Sequence, residues 1–157
     1  MNGLDLPDLW WMAAGCYVLA LVSALLPWVN AEVLMLAALP FARSPLHLTL
    51  LVVLMTLGQM TGKSAMYWCS RRATLAPTPR VRDAMGRWKA RFDRHPRSAL
   101  GIVLVSSAVG IPPFYMVSIV AGALNIAFGR FLMVGTFGRL LHFAVLAAVP
   151  QLIRRMS

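Results

Sequence analysis

Four long apolar blocks, at residues 9–39, 46–69, 98–124 and 131–153, leave this chain few ways to fold. About 20 apolar helical residues cross a hydrocarbon core of about 30 Å. The second and fourth blocks have that length. The first and third exceed it, and both are interrupted: the first by Pro27 and the Trp28-Val29-Asn30 that follow, the third at Gly110-Ile111-Pro112-Pro113. Consecutive prolines remove two backbone donors and push the preceding residue out of the helical region. Residues 98–111 and 114–124 therefore read as two half-helices meeting at an apex, with one kinked span as the alternative. Non-helical backbone at that depth needs protein or a water-filled cavity to satisfy its polar groups.

Composition agrees. Of 157 residues, 59% are hydrophobic and 13% charged, and mean hydropathy is +0.71. Soluble domains run at about 45–50% apolar and about 25% charged. A disordered chain, a coiled coil and a disulfide scaffold are thereby excluded or made remote, and one membrane domain over 1–157 is expected. The net charge of +10 is concentrated: Arg71, Arg72, Arg80, Arg82, Arg87, Lys89, Arg91, Arg94 and Arg97 are opposed only by Asp83 and Asp93. Such a loop, at 70–97, is retained in the cytoplasm during insertion. There it meets anionic lipid headgroups, at about 1 kcal/mol per basic side chain near the surface. An RNA-binding patch is the competing reading, but only Trp88 and Phe92 interleave with the charges, so no nucleic-acid partner is expected. Within the loop, Val81, Met85, Trp88 and Phe92 recur at helical spacing and predict an amphipathic helix over 81–95 lying on the membrane face. It serves either as a connector or as a lipid sensor.

Cys16 and Cys69 sit inside apolar blocks and read as small membrane-embedded side chains. His47, His95 and His142 are scattered without ligand spacing, so neither a metal nor a cofactor is expected. No basic residue precedes the first block, and residues 9–26 read as a retained segment rather than a signal peptide. No nucleophile–base pair or phosphate-binding loop is present, so an enzyme is disfavoured.

A weak repeat joins the halves 9–69 and 98–153, whose breaks lie at 27–32 and 110–113. Leu21-Val22-Ser23 leads to Thr56-Leu57-Gly58-Gln59, as Leu104-Val105-Ser106 leads to Thr136-Phe137-Gly138-Arg139. Each copy is a broken segment followed by a full span. Paired interrupted segments of this kind point to the central site of a transporter.

Few ionisable side chains lie within the blocks. Glu32 is the only acid there, just after the first break, where a half-helix start favours a carboxylate; otherwise it reaches the interface. Arg139 lies mid-block, too deep to snorkel easily. His142, Gly135 and Gly138 share its helical face. That face suits capture of a phosphate or carboxylate; the alternative is a Glu32–Arg139 ion pair that pins helices. Lys63 either joins a polar pathway with Gln59 and Thr61 or snorkels to the basic side. Gly58 and Gly62 form a small-residue packing face. Trp10, Trp11, Tyr67 and Trp68 read as interfacial anchors.

Four stretches carry a family resemblance. Leu26-Pro27-Trp28-Val29-Asn30-Ala31-Glu32-Val33, Thr56-Leu57-Gly58 followed by Arg71, Ile111-Pro112-Pro113-Phe114 through Ala121-Gly122, and Gly138-Arg139-Leu140-Leu141-His142-Phe143 occur in family order. They resemble the DedA family, also called VTT or SNARE-associated membrane proteins, and above all its short YqaA-like branch. Pro27, Asn30, Gly58, Arg71, Gly122 and Gly138 fall on its structural motif. The resemblance implies an all-α integral membrane fold with two inverted repeats. Each repeat is a re-entrant helical hairpin followed by a transmembrane helix. The resemblance also implies lipid movement between leaflets, of undecaprenyl phosphate or of phospholipids. This sequence departs from many bacterial members in having Ala108 and Phe114 where arginines flank the second break, in lacking a second embedded acid, and in carrying His142 where the branch often has Arg.

The expected protein is thus a multi-pass protein of the bacterial cytoplasmic membrane that passes a phosphate-bearing lipid headgroup. Glu32, Arg139, His142, Lys63, Pro112 and Pro113 form its expected substrate path. A non-transporting membrane scaffold and a small-ion or drug exporter are the rivals. A homo-oligomer and the side on which the C-terminus lies are left open.

Overall fold

The computed structural model describes residues 6–26, 28–42, 44–73 and 96–156. Pro27 and the expected helix over 81–95 lie outside the described residues. Among those described the fold is all-α: α1 (Leu6–Leu25), α2 (Ala31–Ala38), a 3-10 turn (Leu39–Phe41), α3 (Pro45–Ala73), α4 (Pro96–Val109), α5 (Phe114–Ala123) and α6 (Phe128–Met156). Two stretches, Pro45–Ala73 and Phe128–Pro150, are long and apolar enough to cross a membrane. Only 44% and 28% of their apolar windows are buried within the chain. Their outward faces are therefore apolar, as a lipid-facing helix requires.

Local chemistry sets the helix ends. Asn30 is extended, and its Oδ1 accepts the Glu32 N–H at 2.8 Å, which starts α2. Ser44 Oγ accepts the His47 N–H at 3.2 Å, with Pro45 at the first helical position of α3. α4 stops at Gly110, whose φ of 85° is open to glycine. Across that break Ser106 Oγ donates to the Pro112 carbonyl at 2.6 Å, meeting an acceptor that no helix satisfies. The Ile111–Pro112 peptide is cis. α5 ends through Asn125, left-handed at φ 55°, a conformation asparagine tolerates. Ser106→Ala is expected to cost about 1–2 kcal/mol by stranding that carbonyl, read as a lowered unfolding midpoint in detergent.

α1 ends at Leu25 and α2 begins at Ala31, so Ala31 and Glu32 of the expected 27–32 break are helical, while α4 ends at Val109 and α5 begins at Phe114. The ends of the elements differ. α4 stops at Val109, two residues earlier than expected, because Gly110 is already left-handed. α3 and α6 overrun their blocks by up to a turn, and α6 passes through Pro150. An interior proline frees one carbonyl, a loss that spanning helices tolerate when neighbouring groups compensate.

The described chain divides into two compact units. One comprises Met1–Gly62 with Leu140–Ser157, the other Lys63–Arg139. In the first, Ala20, Met35, Leu51, Met55, Phe143 and Ala147 form the core. Gly58 lets α3 close on α1: a Cβ there would lie 2.5 Å from the Tyr17 carbonyl oxygen and 2.7 Å from Ala20 Cβ. Gln59 Nε2 donates to Ser23 Oγ at 2.6 Å and to the Ala20 carbonyl at 3.1 Å, so a buried amide is satisfied between the same helices. In the second unit, Tyr67 stacks on Phe131 at 5.2 Å and donates to the Ile126 carbonyl at 2.5 Å. Gly122 brings α5 against the Tyr67 carbonyl and Ser70, and Gly138 brings α6 against Ser107.

Candidate functional site

Lys63 and Arg139, named from sequence as candidate anion ligands, lie in the Lys63–Arg139 unit at 4% and 8% exposure. α3 supplies the first and α6 the second. Both sit at the start of α5, just past the double proline. The Arg139 guanidinium lies 5.2 Å from the centre of the Phe114 ring, and Lys63 Nζ lies 5.9 Å from that of Tyr115. Ring faces are electron-rich and hold cations in partly desolvated sites. The two cations thus lie over the rings of adjacent residues. Like charges buried together raise each other's energy, and an anion between them lowers it. A planar fork beside a compact ammonium suits phosphate. The α5 N-terminus adds peptide dipoles of the same sign.

Pro112 and Pro113 shape that start rather than bind through side chains. Pro113 occupies the cap position of α5, and Pro112 offers the carbonyl that Ser106 takes. Ser106, Ser107 and Ser118 are fully buried around this break. Sequence reasoning gave Ser106 only as part of the repeat and missed the other two. The signal was a pair of hydroxyls inside an apolar block just before a proline break. An apolar cavity of about 230 Å³ between α4 and α5 is lined by Ala99, Val103, Pro112, Val117 and Ala121 among others.

In the other unit the structure brings Glu32 and His142 together. The carboxylate lies 3.2 Å from His142 Nε2, an ion-pair distance without hydrogen-bond alignment. The pair is ionic only when the imidazole is protonated. Glu32 is 44% exposed and His142 11%, so one partner is open and the other enclosed. Sequence reasoning weighed Arg139 as the counterpart of Glu32. His142, one helical turn further along α6, makes the observed contact.

Arg71 belongs to neither group. Its guanidinium lies 5.0 Å from the Trp68 ring and 3.4 Å from the Tyr67 hydroxyl, which accepts its N–H, in the last turn of α3. A cation at a helix C-terminus also meets favourable carbonyl dipoles. Among the described residues no three metal-ligating side chains come together.

No family model matches the sequence, and no curated protein or solved structure matches the chain.

Proposed function

We propose that this chain is a bacterial cytoplasmic-membrane protein that passes a phosphate-bearing lipid headgroup between leaflets. α1–α2 and α4–α5 act as re-entrant segments in two related, inverted halves. The burial of Lys63 and Arg139 together, against Phe114 and Tyr115 at a helix start, carries the reading. Embedded charges are costly and usually functional, and two of the same sign suit a ligand of the opposite sign.

The order of the elements supports related halves. α5 begins at Phe114, 83 residues after α2 at Ala31, and α6 at Phe128, 83 after α3 at Pro45. Arg71-Arg72 recur at that spacing as Arg154-Arg155. The DedA resemblance adds the substrate class, and the apolar cavity between α4 and α5 offers room for part of a lipid chain. In this scheme Glu32 alternates between His142 and a proton. That exchange supplies the differential affinity between states on which a carrier cycle depends. The basic loop gathers anionic lipid at the cytoplasmic face.

Flipping of headgroup-labelled lipids in proteoliposomes tests the proposal. Glu32→Ala and Arg139→Ala are each expected to abolish transport while yield stays normal. Wild-type flipping in both refutes it. Under the scaffold reading the same substitutions lower abundance or stability, and the wild type itself moves no lipid.

A further inference from the structure

The unit formed by Met1–Gly62 and Leu140–Ser157 contains one short helix with few ties to its surroundings. α2 has eight residues, and only Ala31 and Met35 of them are buried, in the core that Phe143 and Ala147 of α6 help to complete. Val33 and Leu36 on the same helix are exposed. A segment with so few buried contacts lies at the low end of the free-energy range for local opening. Its ionic contact with α6 is that of Glu32 with His142 Nε2, at 3.2 Å.

The sign of that contact depends on one proton. A carboxylate only accepts hydrogen bonds, and a neutral imidazole with a bare Nε2 is an acceptor there as well. Two acceptors at 3.2 Å repel, whereas a carboxylate and an imidazolium attract. The other neutral tautomer carries a hydrogen at Nε2 but lacks the alignment to use it. Imidazoles pass between their charged and neutral forms from about pH 5 to about pH 8. The open carboxylate gives the proton a route to the enclosed ring. The other titratable side chains described in this unit are Cys16, Tyr17 and His47. Tyr17 donates to Thr61, and Cys16 and His47 line a cavity of about 250 Å³ between α1 and α3, to which neither α2 nor α6 contributes. Arg139, one turn before His142 along α6, keeps its charge at every working pH.

We propose that Glu32 and His142 form a pH-dependent latch. Protonation of the imidazole fastens α2 to α6 at mildly acidic pH, and loss of that proton as pH rises frees α2 to leave the core. The latch rests on the transport reading for its purpose, since there Glu32 must leave His142 during the cycle, and it names what sets that exchange. Its readout is the position of α2 and not lipid flux, so each proposal can fail while the other stands.

The test follows labelling of a buried thiol by N-ethylmaleimide in the full chain in detergent. Met35→Cys, combined with Cys16→Ser, puts a thiol on the face that α2 hides, and the native Cys69, exposed on α3, serves as internal reference. The ratio of the two rates cancels the common effect of pH on thiolate formation. From about pH 6 to about pH 8 the ratio is expected to rise about threefold to fivefold, the most that a partly exposed ion pair supplies. Glu32→Gln is expected to hold the ratio high at both pH values, and His142→Lys, a cation throughout, to hold it low. Ala31→Cys takes the place of Met35→Cys if the latter is recovered poorly. A ratio that is equal at both pH values with Glu32 and His142 in place, including no labelling of the buried thiol at all, overturns the latch. A ratio that still changes with pH in Glu32→Gln overturns it too, because the effect then belongs to another group.

Discussion

Gly122→Leu is expected to leave almost no folded protein in the membrane fraction, the largest effect of any single substitution considered for this chain. A Cβ at position 122 would run into the Tyr67 carbonyl and the Ser70 hydroxyl on α3. The carbonyl belongs to the backbone of a long helix and cannot turn aside. Tyr67 is itself held by Ile126 and Phe131, so α5 must move off and take its aromatic packing with it. Overpacking typically costs about 1–3 kcal/mol, and a clash with fixed backbone lies at or beyond the top of that range. Gly58→Leu is expected to behave alike, since a Cβ there would also lie within clashing distance of backbone, 2.5 Å from the Tyr17 carbonyl oxygen, and 2.7 Å from Ala20 Cβ. Gly138→Ala is expected to be milder, because its nearest obstacle, the Ser107 hydroxyl, can rotate away and leaves Ser107 Cβ at 2.9 Å as the closest atom. Gly15→Ala, Gly101→Ala and Gly129→Ala meet nothing within 4 Å. There the gain in helix propensity, up to about 1 kcal/mol, is expected to appear as unchanged or raised stability. Size-exclusion recovery and unfolding midpoints in detergent measure the whole series. A uniform response across the glycines contradicts the packing described.

Arg139→Ala and Lys63→Met separate transport from architecture through the sign of their effects on stability. Breaking a structural buried ion pair costs about 3–5 kcal/mol, because the remaining charge is left without compensation. Replacing a buried cation by an apolar side chain of similar size relieves its desolvation penalty instead. Lys63→Met, similar in size and apolar, is therefore expected to keep or raise the unfolding midpoint while lipid flipping falls to the protein-free background. Arg139→Ala is expected to show the same loss of flipping, and Arg139→Lys to recover part of it, since charge returns without the planar fork. A large drop in stability with flipping intact assigns both cations to helix packing. Glu32 provides the control. At 44% exposure its contact with His142 contributes at most about 1 kcal/mol. Glu32→Gln is therefore expected to leave the unfolding midpoint nearly unchanged while flipping falls, which ties the loss to the transport cycle and not to unfolding.

Much of the architecture was legible because its causes are local. Two consecutive prolines and a glycine end a helix wherever the chain goes, and Asn30 caps α2 through an atom two residues away. Helix ends were less legible. α3 and α6 continue past their apolar blocks because backbone hydrogen bonds within a helix do not depend on hydropathy, and Pro150 removes only one of them. The candidate site was legible as a set of expensive residues but not as a set of partners. Glu32, Lys63, Arg139 and His142 stand out in any reading that counts embedded charge. Their neighbours do not, since Phe114, Tyr115 and the buried serines are common in apolar helices and acquire meaning only by proximity.

The sequence by itself thus determined the all-helical class of the described residues, the two long apolar helices and the identity of the charges within apolar stretches, because hydropathy, proline geometry and capping act over a few residues. Tertiary structure alone decided that His142 meets Glu32, that Lys63 and Arg139 share one aromatic-lined corner, that Gly122 faces a carbonyl, and that His47 borders a cavity. Each of those depends on which faces of distant helices meet, and that is settled by packing summed over whole helices rather than by any short stretch of chain.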